Sequence, residues 1–148
     1  MKPKEYLSLA RRFHDRYRRA LDEVETIRSL MMSTGAIRYD KDNVQKSPSN
    51  DAMANYMIRL EKAEANAWAA SEIYFDVYTR IRNQIEQITP GLYSDVLYLR
   101  YIKGETLLDI CDELNYSYDW IRRIHGRALV AFGRRFPEIL KKTQKDTF

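Results

Sequence analysis

Two long apolar seams limit what this chain can fold into. Over residues 3–33, Tyr6, Ala10, Phe13, Tyr17, Ala20, Val24, Ile27 and Met31 recur at alternating steps of four and three. That is the period of a single apolar stripe on an α-helix, held over eight positions without a break. Pro3 suits the first turn, where a missing N–H costs nothing, and Thr34-Gly35 suits a left-handed stop. Residues 51–88 repeat the pattern through Met53, Tyr56, Leu60, Ala63, Ala67, Ala70, Tyr74, Val77 and Ile81, with Ile85 and Ile88 extending it. Asn50 or Asp51 can cap this second helix, and Thr89-Pro90-Gly91 stops it. At 1.5 Å per residue the two helices would run to roughly 45 and 57 Å. Alanines in both seams allow close backbone approach, while Tyr, Phe and Trp68 supply bulk.

The stretch between them, residues 34–50, is polar and rich in turn formers, so it reads as a loop. Its Asp40-Lys41-Asp42-Asn43 run lacks the glycine and glutamate that a calcium loop needs at its sixth and twelfth positions. Residues 1–90 are therefore expected to be an antiparallel helical hairpin of coiled-coil type, or part of a dimeric bundle. Either would act as an oligomerisation arm rather than an active site.

Composition removes most chemistry. The chain has 148 residues, one cysteine and two histidines. A lone Cys111 excludes an internal disulfide and any cysteine-based zinc site. It reads as a small close-packing residue, with a redox thiol as the alternative. His14 and His125 have no second ligand nearby, although His14-Asp15 is a dipeptide also found in metal-dependent phosphohydrolases. The five glycines stand singly, so no phosphate loop exists. No apolar run is long enough to cross a bilayer, and Lys2, Lys4, Glu5, Arg11 and Arg12 leave no room for a signal peptide. The expectation is a non-enzymatic cytoplasmic protein with no cofactor, no metal and no membrane contact.

Charge is distributed unevenly. Residues 89–116 set Arg100 and Lys103 against Asp95, Glu105, Asp109, Asp112 and Glu113. Residues 117–136 set Arg122, Arg123, Arg127, Arg134 and Arg135 against Asp119 alone. A compact basic segment behind an acidic one fits a helix that reads nucleic acid, or simply a solvated basic face.

The pattern of the last third, residues 91–148, sharpens that choice. Residues 92–103 read as an apolar helix broken at Gly104, and residues 105–114 as a second helix. Asn115-Tyr116-Ser117 makes a turn, and residues 118–136 form a basic helix with Ser117 as its cap. Thr106, Leu107, Ile110 and Leu114 are expected to face inward, as are Ile121, Ile124, Ala128 and Leu129. Helix, three-residue turn and basic helix is the helix-turn-helix plan. His125 reads as a surface or phosphate-side residue, with a pH switch as the alternative. Trp120 packs against the arm or a partner, or else touches DNA backbone.

The run RYIKGETLLDICDELNYSYDWIRRIHGRAL resembles the carboxy-terminal DNA-binding part, region 4, of sigma-70-type transcription factors. That family carries an arginine-aromatic pair, a glycine, TLxEIAxxL, a G-x-S turn, and a helix ending in RAL. The resemblance covers roughly residues 92–135, with Thr106, Ile110, Leu114, Ser117, Ile121, Ile124 and Arg127-Ala128-Leu129 in register. Taken whole, the chain is similar to phage-encoded late-gene regulators of the ArpU and RinA type. The resemblance implies a sequence-specific DNA-binding transcriptional regulator of phage or prophage origin, acting in a bacterial host cell. It implies base reading by Tyr118, Asp119, Arg122 and Arg123. Tyr118 stands where the family usually has a basic residue and Arg123 where it has glutamine, so the site read would differ from a standard −35 element. Leu108 replaces a usual acid and is a candidate partner contact. The −10-reading and promoter-melting parts of a full sigma factor have no counterpart here.

General physics adds a phosphate set of Lys103, Ser117, Arg127, Arg134 and Arg135, which would give affinity without sequence reading. The expected partners are double-stranded DNA, further copies of the chain with a dimer favoured, and RNA polymerase. Two other readings remain open: a small terminase-like DNA-packaging subunit, and a protein that holds RNA polymerase while barely touching DNA.

Overall fold

The computed structural model describes residues 1–33 and 50–142, and among them every regular element is a helix. The loop read over residues 34–50, like the Thr34-Gly35 stop, lies outside the described residues apart from Asn50, which opens the second helix. Helix α1 spans Pro3–Ser33 and α2 spans Asn50–Glu86. Then come α3 (Gly91–Leu97), α4 (Leu107–Leu114), α5 (Tyr118–Arg135) and α6 (Pro137–Lys142). No described helix is long and apolar enough to cross a membrane.

The chain divides into two compact units. The first joins Met1–Phe13 to Tyr74–Phe148, and the second is His14–Ile73.

The second unit is built from the seams. Val24 and Ile27 of α1 are buried with Ala63 and Ala67 of α2, and Ala20, Leu21, Met31, Tyr56 and Leu60 pack around them. Small alanines opposite branched residues let the two backbones approach closely. An exposed ion pair, Arg28 to Glu64 at 2.8 Å, crosses the same two helices. In water such a pair adds well under about 1 kcal/mol, so the apolar seam does most of the holding.

The first unit holds two clusters. In one, Tyr6, Leu7 and Ala10 of α1 meet Ile81 and Ile85 of α2, Ile88, Leu97, Tyr101, and Ala128 and Phe132 of α5. Tyr6 also donates a buried hydrogen bond to Gln84 Oε1 at 2.8 Å, which satisfies the one buried polar side chain at that end of α2. Leu7 lies off the expected seam yet is fully buried, because α1 is covered here from two sides rather than one. In the other cluster, Val96 and Leu99 meet Ile110 and Cys111 of α4 and Ile121 and Ile124 of α5. Cys111 is thus a packed interior thiol.

Two local expectations are corrected, and two features lie beyond what the spacing indicated. The helix read over 92–103 is not uniform: after α3 the chain widens into a π turn at Tyr98–Ile102, closed by Lys103 N–H on Tyr98 O at 3.1 Å. Leu99 and Tyr101, two positions apart and so on opposite sides of the turn, enter different clusters. Thr106 is exposed rather than inward, because it caps α4. Its hydroxyl accepts the Asp109 N–H, and the Asp109 carboxylate accepts the Thr106 N–H, both at 3.2 Å. Phe132, unassigned by the motif, is the largest fully buried side chain. Finally, α6 follows Pro137 and sends Ile139 and Leu140 back onto the first cluster.

Candidate nucleic-acid interface

The connection from α4 to α5 is made by three residues with distinct jobs. Asn115 adopts a left-handed conformation, φ 58°, which ends α4, and the Tyr116 N–H closes on Cys111 O at 3.1 Å. Asparagine tolerates that conformation better than most residues. Ser117 is extended, and its hydroxyl accepts the Trp120 N–H at 3.3 Å, so it caps α5. Asp119 sits in the first turn of α5, where a negative charge complements the helix dipole.

Helix α5 has two faces. Ile121, Ile124, Ala128 and Phe132 are buried, at steps of three, four and four. Leu129, expected inside with them, is only partly buried. Tyr118, Asp119, Arg122, Arg123, Gly126, Arg127, Val130, Arg134 and Arg135 are exposed. A shallow groove runs along this outer face and against α3, lined by Tyr93, Arg122, Arg123, Gly126, Arg127, Val130, Ala131 and Arg134. It holds four guanidinium groups and no carboxylate. Arg127 also stands over the Trp120 ring, 5.7 Å from its centroid, a cation–π contact that steadies both side chains at the surface.

The structure therefore gathers Arg122, Arg123, Arg127 and Arg134 and leaves the other named residues apart. Tyr118 and Asp119 are exposed on the first turn, outside the groove lining. Arg135 turns toward the end of α2, donating to Gln87 Oε1 at 2.9 Å and lying over Phe136. Lys103 ends the π turn with its ammonium 3.9 Å from Glu105. Leu108 is 63% exposed on α4.

His125 is corrected from a surface residue to a half-buried one. Its ring stacks on Tyr101, and Tyr101 Oη lies 2.8 Å from Nε2. Burial, then the charges of Arg100 and Lys4, hold its pKa below the ordinary value of 6.5. The Tyr101 hydroxyl is pushed up to about 12, chiefly by burial. At neutral pH the tyrosine is thus the donor and Nε2 of a neutral imidazole the acceptor. The pairing was hidden in the sequence, since the two residues lie 24 apart on different elements.

Among the described residues no group of three or more His, Cys, Asp or Glu side chains could hold a metal ion. No protein-family model, curated protein or solved structure matches the chain.

Proposed function

We propose that this protein binds double-stranded DNA in a sequence-specific way and regulates transcription. In this reading α4, the Asn115–Ser117 turn and α5 form a helix-turn-helix of the sigma region 4 kind, with α5 lying in the major groove. The observation that carries the reading is the arginine groove: Arg122, Arg123, Arg127 and Arg134 line it without an acidic side chain. Guanidinium forks match the O6 and N7 acceptors of guanine and also phosphate oxygens. Arg122 and Arg123, nearest the start of α5, read bases together with Tyr118 and Asp119. Arg127 and Arg134 grip phosphates, with Ser117, Lys103 and Arg135 at the margins.

The long parts of α1 and α2 serve as an antiparallel arm. Its seam is filled within one chain, because Val24 and Ile27 already cover Ala63 and Ala67. A dimer would therefore meet through another face, such as the one bearing Ile58 and Trp68, 63% and 68% exposed. The exposed Leu108 favours a second reading, in which α4 contacts RNA polymerase. The phage setting and a place in the bacterial cytoplasm follow from the family resemblance alone.

The test is a salt titration of binding to a selected duplex and to a scrambled one. Four phosphate or base contacts by arginine predict a slope of log affinity against log salt of about −3 to −4. The absence of any salt-sensitive DNA binding would overturn the reading and favour the polymerase contact.

A further inference from the structure

Glycine inside a helix needs a reason, because it frees the unfolded backbone and adds no packing. Two glycines of the first unit have their reason within the chain. Gly104 adopts φ +74°, and a Cβ there would meet the Arg11 guanidinium at 2.8 Å. A Cβ on Gly133 would come within 3.2 Å of Pro3 Cγ. Gly126 has no such reason. It lies in the middle of α5, is exposed, keeps helical backbone, and a Cβ built on it meets nothing within 4 Å. Alanine would fit the folded chain at no steric cost.

Its surroundings supply the missing reason. Arg122, Gly126, Val130 and Arg134 follow one another at steps of four, so they form one row along the helix, and all four line the groove. Arg123 and Arg127 also line the groove, both along one side of the row. The bare position is thus at the centre of the arginine set. Long guanidinium side chains beside a gap let a flat surface come down onto the helix backbone while the arginines reach past it.

We infer that Gly126 is the point of closest approach between α5 and the floor of the DNA major groove, an assignment that rests on the reading of α5 as the DNA-binding helix. The consequence is specific. A side chain at 126 would hold the whole helix off the base edges. Direct hydrogen bonds operate within a few tenths of an ångström, so the base contacts of Arg122 and Arg123 would be lost together. Phosphate attraction falls off slowly with distance and would survive.

The experiment uses the full chain with Gly126→Ala and Gly126→Leu, measuring thermal stability and affinity for the best selected duplex and for its scrambled counterpart. Gly126→Ala should raise the Tm by about 2–4 °C. On the selected duplex the affinity should fall roughly tenfold for alanine and roughly a hundredfold for leucine, with the scrambled duplex within about twofold of wild type. A leucine variant that binds the selected duplex as tightly as wild type would overturn the inference while leaving DNA binding intact. A lowered Tm for Gly126→Ala would also overturn it, since the fold itself would then require the glycine. A wild-type protein that binds neither duplex would instead remove the DNA-binding reading, and this inference with it.

Discussion

At the scale of single residues, neighbours in sequence do different work. Arg134 lines the arginine groove, whereas Arg135, one position on, is held by Gln87 at 2.9 Å. Arg122→Ala should cost about 1–3 kcal/mol on a preferred duplex and little on random DNA, because a base contact carries discrimination. Arg134→Ala should weaken both duplexes alike and reduce the salt slope by about one, with Arg135→Ala having the smaller effect. Salt titrations on the two duplexes check all three, and equal losses on both for Arg122→Ala would make it a phosphate clamp. The Tyr101–His125 pair gives a second residue-scale prediction. The folded protein holds His125 neutral, and its pKa lies below 6.5 chiefly through burial, with Arg100 and Lys4 adding to it. The unfolded chain takes up a proton near 6.5, so the unfolded state binds more protons just below that pH. This contribution to stability is therefore complete above about pH 6.5 and is lost as the pH falls below it. Thermal melts from pH 7.5 to 5 should show that decline, and His125→Gln should flatten it. Tyr101→Phe removes the donor to Nε2 and should cost about 1 kcal/mol at neutral pH.

At the scale of elements, caps decide where the helices start and stop. The Ser117 hydroxyl satisfies an otherwise free N–H at the start of α5, so Ser117→Ala should cost about 1 kcal/mol, read by chemical denaturation. Ser117→Asp keeps a capping oxygen and adds a charge favoured by the helix dipole, so stability should hold. If Ser117 also faces phosphate, that same substitution should weaken DNA binding severalfold by repulsion. Unchanged binding would leave Ser117 with the capping role alone. These caps were legible in the sequence at Ser117, because a hydroxyl before a basic amphipathic run has one obvious job. Thr106 was misplaced on the inward face because its helical spacing from Ile110 matched an apolar row. The competing attraction, a reciprocal bond with Asp109, depends on the chain turning at Gly104, which spacing does not encode.

At the scale of the whole molecule, the first thirteen residues belong with the carboxy-terminal helices. Leu7 is fully buried in the cluster that includes Ala128 and Phe132 of α5. Leu7→Ala should therefore cost about 2–5 kcal/mol, through lost burial and the cavity left behind. A fragment of residues 91–148 would expose that same face of Leu97, Tyr101, Ala128 and Phe132, and it should show weak helicity and no cooperative melt. A sharp two-state transition for the fragment would mean that the α1 and α2 contacts add little to the helices that follow Gly91. Sedimentation of the full chain tests the proposed dimer, and Trp68→Glu should shift it toward monomer if that face carries the contact.

The sequence by itself determined that the described residues are helical, that α1 runs from Pro3 to Ser33, and that a basic helix begins after Ser117. Period and capping chemistry are local properties, and a stripe such as Val24–Ile27 can be read from the spacing of its own residues. Tertiary structure decided what each stripe faces. Tyr6 and Val24 share one heptad register, yet Tyr6 packs with Ile85 and Phe132 while Val24 packs with Ala63 and Ala67. Tertiary structure also decided that Arg122, Arg123, Arg127 and Arg134 would share one open groove while Arg135 turned aside. Burial is indifferent to direction and to sequence separation, so a spacing pattern names an apolar face without naming the surface that covers it.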